Sequence, residues 1–133
     1  MQPNKLASSE IPIRLSIVIR TFNSAKTIKR LLSCLFARKG VETIIVDSGS
    51  SDRTLEICSH LVSKILRPSH PFHYSKALNI GFAQSLGSWV LVISSHCIPT
   101  VEDIVEKVFK FTDSANQNCV VGYGILGVVA PKN

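Results

Sequence analysis

This sequence predicts an α/β fold built on a mostly parallel sheet flanked by helices, and three observations predict it. Short apolar runs rich in β-branched residues occur at 15–19 (LSIVI), 43–46 (TIIV) and 89–93 (WVLVI). Each can make a strand buried on both faces and is too short for a helix. Between them lie stretches of helical period, and a polar loop leaves the end of each run. Strand, helix, strand in alternation specifies parallel pairing through right-handed crossovers. At 133 residues the chain is one domain with a modest core.

In chain order, residues 1–12 read as a flexible N-terminal arm before the first strand at 15–19. Ser24 is placed to cap a helix whose apolar face is Ile28, Leu31, Leu32, Leu35 and Phe36, with Lys26, Lys29 and Arg30 outside. Gly40 ends it, and the second strand follows. Asp47 closes that strand, Ser48–Ser51 form a polar turn, and Ser50 or Ser51 caps the next helix. Asp52 stands where an acid favours the helix dipole. Leu55, Cys58, Leu61 and Val62 supply that helix's face, and Lys64-Ile65-Leu66 makes a short third strand. Residues 74–86 read as a helix with small Ala77, Gly81 and Ala83, stopped by Gly87. The run at 89–93 is the most apolar and is the expected central strand. Thr100 caps a helix carrying Ile104, Val105, Val108 and Phe109, and residues 119–121 are a candidate last strand.

Composition narrows the function. The charge is +6, with 15 Lys and Arg against 9 Asp and Glu. The basic residues are dispersed, without the interleaved aromatic stripe of a nucleic-acid binder, so no nucleic-acid partner is expected. Phosphorylated small molecules or peripheral association with an anionic membrane surface account for the excess. Cys34, Cys58, Cys97 and Cys119 form no CxxC pair and read as reduced thiols of a cytoplasmic protein. The N-terminus lacks an apolar signal core, and no apolar run reaches the roughly 18 residues a transmembrane helix needs. Gly122, Gly124 and Gly127 fit GxGxxG, but the following helix, second strand and acid that a dinucleotide site requires are missing.

The chemistry concentrates at strand ends. In open α/β sheets ligands sit outside the carboxyl ends of the strands, which puts Asp47 at the mouth of a site or, in the plainer alternative, in a capped turn. Positions 94 and 96 alternate to one side of an extended strand end, so their side chains share one face. Here they are a hydroxyl and an imidazole.

Three segments together resemble the inverting GT-A glycosyltransferases of the family 2 type, which use nucleotide-sugar donors. They are SIVIRTFNS (16–24), IIVDSGSSDRTLEI (44–57) and FHYSKALNIGFAQSLGSWVLVISSHCIP (72–99). The resemblance covers roughly the first 100 residues and implies that 13–124 form the nucleotide-sugar-binding half of a Rossmann-like GT-A domain. The match is closest to a branch with Arg20, not the usual Pro, before Thr21, and with Ser-x-His (Ser94-Ser95-His96) where the family's metal-binding Asp-x-Asp usually lies. Phe22 then offers the donor base an apolar surface, and Asp47 accepts the base N–H. Thr21 and Asn23 lend polar atoms beside them. Asp52 matches a second family acid, Asn79 and Gly81 match an Asn-x-Gly motif, and Lys76 is placed to offset phosphate charge. Ser94, Ser95 and His96 complete the donor-binding set. His96 is the one candidate metal ligand, and a divalent cation, Mn²⁺ or Mg²⁺, is expected only with bound nucleotide.

In the family an acceptor half follows, with a carboxylate that deprotonates the attacking hydroxyl. Glu102, Asp103 and Glu106 instead read as charges at a helix start. Residues 125–133 depart from the family pattern and read as a divergent or truncated tail of a domain incomplete at its C-terminus. No catalytic residue is therefore assigned. Two functions stay open, the donor-binding part of a glycosyltransferase and a nucleotide-binding remnant without activity of its own.

Overall fold

The computed structural model describes residues 11–35, 38–69, 71, 73–100, 103–114, 122–124 and 127–131. The arm through residue 10, Phe36 of the first helix, Phe72, Glu102 and the candidate strand at 119–121 lie outside them. Ten elements follow in order: β1 (Leu15–Thr21), α1 (Ile28–Leu35), β2 (Val41–Asp47), α2 (Thr54–Cys58), β3 (Lys64–Leu66), α3 (Tyr74–Gln84), β4 (Trp89–Ser94), α4 (Ile104–Ser114), β5 (Gly122–Gly124) and β6 (Gly127–Pro131). The sheet order is β3-β2-β1-β4-β6-β5. The first four strands pair in parallel, as the alternation of elements requires.

Two-residue alternation along the parallel strands divides the core. Leu15, Ile17, Ile19, Ile45, Leu91 and Ile93 meet Ile28, Leu31, Leu35, Cys58, Val105 and Val108, placing α1, α2 and α4 on one face. Val18, Ile44, Val46 and Val90 face the other side, where Ala77 of α3 packs. α3 can lie this close because Gly81 has no side chain. A Cβ there would stand 2.6 Å from Val18 Cγ1 and 3.0 Å from Val46 Cγ2. At the opposite end of the sheet, the carboxylate of Glu42 (5% exposed) accepts from Ser16 Oγ and from Leu86 N, both at 2.6 Å. Ser16 Oγ in turn accepts from Gly87 N at 2.8 Å, so the turn into β4 is fastened to β1 and β2.

Three helix starts differ from expectation. Ser24 opens α1 through its carbonyl, which accepts from Thr27 N and Ile28 N, while its hydroxyl is bonded elsewhere. Arg53 is the N-cap residue of α2 and makes no side-chain cap bond; Asp52 just before it, and neither Ser50 nor Ser51, accepts from Thr54 N at 3.0 Å. Asp103, not Thr100, serves α4, accepting from Glu106 N at 3.0 Å. At α2 and α4 an aspartate within reach of a free first-turn N–H takes the place of the hydroxyl nearest the pattern's start.

Part of the expected tail belongs to the sheet. Residues of β6 pair antiparallel with β4, from Trp89↔Pro131 to Val92↔Val128, and β5 pairs antiparallel with β6. The added hairpin covers an edge that β4 would otherwise leave unpaired. The GxGxxG glycines thus lie in antiparallel strands, a context that excludes the dinucleotide fingerprint. Among the described residues, no helix is long and apolar enough to cross a membrane.

Candidate functional site

The strand order reverses between β1 and β4. Such a switch point leaves a crevice at the carboxyl edge. A cavity of about 440 Å³ occupies it, lined by Arg20, Thr21, Phe22, Ser48, Tyr74, Ser94, Ser95 and His96. Of the residues the sequence proposed, Thr21, Phe22, Ser94, Ser95 and His96 are brought together here. Phe22 is 55% exposed, an uncovered aromatic face beside polar groups.

The floor of this cavity is two loops sewn to each other. Asn23 adopts a left-handed conformation, φ 44°. That turns its Oδ1 toward the β2–α2 loop, where it accepts from Ser51 N at 2.8 Å and Asp52 N at 3.4 Å. Ser50 Oγ accepts from Asn23 N, and Thr54 Oγ1 from Ser24 N. Ala25 N donates to Asp52 Oδ2 at 3.1 Å. Asn23 and Asp52 are therefore committed to holding the loops, and neither lines the cavity. The hydrogen bonds to Asp52, led by the one from Thr54, hold its carboxyl below the ordinary range.

Asp47 sits under the floor. It is 1% exposed and its four acceptor positions are filled. Oδ1 accepts from Thr21 Oγ1 at 2.8 Å and Ser50 Oγ at 2.6 Å. Oδ2 accepts from Gly49 N at 2.9 Å and Ser50 N at 2.8 Å. Burial alone would raise its pKa, but the bonds from Ser50, Thr21 and Gly49 outweigh burial and hold it below the ordinary value. The expected bond from a donor base to Asp47 has no vacant lone pair to receive it. Register explains the placement: Asp47 pairs with Thr21, and both side chains point to the α1–α2 side of the sheet.

The next residue, Ser48, faces the cavity instead. Its Oγ is buried and has no hydrogen-bond partner, an orphaned group of the kind a ligand satisfies. Sequence reading passed over it as turn filler; the signal was its place immediately after the strand-end acid. Arg20 and Tyr74, also missed, close the α3 side of the cavity. Lys76 and Asn79 lie on exposed positions of α3 and do not line the cavity, while Gly81 is a packing residue.

Where the sequence expected a strand end bearing positions 94 to 96, β4 stops at Ser94 and the chain turns. Ser95 is 1% exposed, its N–H donating to Arg20 O at 3.2 Å and its hydroxyl bonded to Ser24 Oγ at 2.6 Å. His96 is exposed at the rim. Among the described residues no group of three or more His, Cys, Asp and Glu could share a metal ion. One imidazole among hydroxyls, with no carboxylate among the described lining residues, does not fit a resident Mg²⁺ or Mn²⁺.

Comparison with known proteins agrees with this architecture. The sequence profile described as Glycosyl transferase family 2 matches residues 16–128. Glycosyltransferase GlyG of Streptococcus pneumoniae is 22% identical over 115 residues, which cover 81% of this chain and 38% of that protein. The undecaprenyl-phosphate 4-deoxy-4-formamido-L-arabinose transferase of Pectobacterium carotovorum is 26% identical over 127 residues, 86% of this chain and 36% of the relative. This chain thus spans little more than a third of the curated relatives it matches. Among solved structures, S. aureus TarS 1-349 in complex with UDP superposes with a TM-score of 0.65 at 27% identity, over 75% of this chain and 32% of that one. A mannosyltransferase from Pyrobaculum calidifontis, in complex with GDP-Man and Mn²⁺, superposes at 0.71 with 19% identity, over 81% and 34%, a likeness of fold.

Proposed function

Because this chain belongs to glycosyl transferase family 2 and has its GT-A fold, we propose that its cavity binds a nucleotide-diphosphate sugar. In this reading it is the donor-binding part of an inverting enzyme that moves the sugar to an acceptor hydroxyl. The observation that carries the reading is the pairing of an exposed Phe22 with the orphaned Ser48 Oγ in one cavity at the sheet's switch point. A base needs a flat apolar face and a polar edge partner, and these two residues offer both. The cavity volume lies within the usual range for small-ligand sites.

The roles follow from position. Phe22 takes the base, Ser48 hydrogen-bonds its edge or the ribose, and Thr21 and Ser94 with His96 line the path of the phosphates. Asp47, Asn23 and Asp52 act one step back, fixing the loop that presents Phe22 and Ser48. A Mn²⁺ or Mg²⁺ ion would come with the nucleotide and find only His96 as a nitrogen donor, so donor binding is proposed without it.

A second reading, a nucleotide-binding module without transfer of its own, is favoured by one observation. Among the described residues no carboxylate lines the cavity, and an acceptor hydroxyl must lose its proton to a base.

Calorimetric titration of the purified chain with a panel of nucleoside diphosphates tests the donor site. Phe22→Ala should cost about 1–3 kcal/mol of the binding seen, the usual worth of base–aromatic stacking. A chain that binds no nucleoside diphosphate overturns the reading. Release of free or acceptor-bound sugar from a nucleotide sugar by the same preparation separates the enzyme from the module.

A further inference from the structure

Arg20 is the last cationic side chain of β1 before the strand opens into the cavity. Alternation along β1 sends Ile17 and Ile19 to the α1 side and Val18 to the α3 side, and Arg20 follows Val18. Register places it beside Ser94 of β4 and Val46 of β2. Its guanidinium carbon lies 4.1 Å from the ring centroid of Tyr74, the first residue of α3. Stacking of this kind orients the fork of N–H donors and leaves its edges open for hydrogen bonds.

Arg14, Arg38 and Arg53 are each paired with a carboxylate, whereas none of the ion pairs among the described residues involves Arg20. Among the described residues, the cavity wall around it holds hydroxyls, the rings of Phe22 and Tyr74 and one imidazole, and no acid. An oriented guanidinium facing such a wall attracts an anion, and Arg is suited to bidentate recognition of phosphate. The same wall lacks the carboxylates a hard cation requires.

Resting on the donor reading above, we infer that Arg20, held over Tyr74, binds the donor diphosphate directly and takes the place of a divalent cation in this chain. The positive charge that would arrive with an ion is instead built into the strand end. Tyr74 is a positioning residue in this arrangement.

The test is calorimetry of the full chain with UDP, GDP, the matching nucleosides and sodium pyrophosphate, in EDTA and again with Mn²⁺. The nucleoside diphosphate that binds should do so equally well under both conditions. Arg20→Gln should weaken it, and pyrophosphate, by roughly 10- to 150-fold, the worth of a hydrogen bond to a charged group. Affinity for the nucleoside should be unchanged, and Arg20→Lys should recover only part of the loss. Circular dichroism of each variant checks the fold, and Tyr74→Ala, remote from the core, gives a second variant with a smaller loss of the same probes. Nucleoside diphosphate binding that EDTA abolishes, or that Arg20→Gln leaves intact, overturns the inference while the donor reading stands. Arg20-dependent binding of pyrophosphate alone supports the inference and overturns the donor reading. A chain that binds none of the probes overturns both.

Discussion

Replacing Asp47 by Asn keeps the size of the side chain and removes half of what it does. The carboxylate accepts four hydrogen bonds, two at each oxygen. An amide retains one acceptor oxygen and turns an NH₂ group toward donors that also carry hydrogen. With the oxygen kept toward Thr21 and Ser50 Oγ, the backbone N–H groups of Gly49 and Ser50 lose their acceptor. Each bond to a charged group is worth about 1.5–3 kcal/mol, and two on one atom are not independent, so a loss of about 3 kcal/mol is expected. With a urea dependence of about 1–3 kcal/mol/M, the unfolding midpoint should fall by about 1–3 M. Trp89, the single tryptophan, lies at the start of β4 and edge-on to Phe111, so its fluorescence reports the transition. Acid adds a second signature. The pKa of Asp47 is lower folded than its ordinary value of 3.8, so its contribution is complete above that value and disappears as pH falls through the folded pKa. The wild-type protein should lose this stability on acidification below about pH 4, and the Asn variant should have none of that component to lose. Equal urea midpoints for the two proteins at pH 7 would refute the assignment of Asp47 as the organiser of the strand-end loop.

Two further outcomes follow from packing. Gly81→Ala places a methyl group 2.6 Å from Val18 Cγ1, where α3 must lift from the sheet, and should destabilise the chain by about 1–3 kcal/mol in the same urea assay. An unchanged midpoint would show that α3 does not pack at this distance. Cys58 is fully buried, and burial foremost, with the nearby Asp47 charge, pushes its thiol up to about 11. At pH 8 it should stay unmodified by a maleimide in the native chain and react once urea is added, as peptide mapping would show; rapid native labelling would contradict the burial.

Much of the fold was legible because it rests on local patterns. Runs of β-branched residues at 15–19, 43–46 and 89–93 cannot be satisfied as helices, and their alternation with amphipathic segments leaves parallel pairing as the only compact solution. The strands came out one to three residues longer than the apolar runs, since ladder bonds extend into Arg20, Thr21, Val41, Glu42, Asp47 and Ser94 whatever their polarity. The site was legible as three loops, through Phe22, the turn after Asp47, and Ser94 to His96. The roles inside those loops were not. Whether Asp47 or Ser48 meets a ligand depends on which face of β2 each residue takes at the sheet edge, and that parity is set by pairing with β1. Arg20 looked like a departure from a motif, yet it gains its meaning from Tyr74, more than fifty positions away in sequence. β6 escaped notice because a short run between Gly127 and Pro131 carries no period, and it takes form only by pairing with the open edge of β4 and with β5. By itself, then, the sequence determined the α/β class, the order of the elements and the loops that converge at the carboxyl edge, because burial and backbone pairing act on composition and spacing. The tertiary structure alone decided which side chains those loops turn into the cavity and which they spend on one another, because facing and hydrogen-bond saturation are settled only when distant strands come into register.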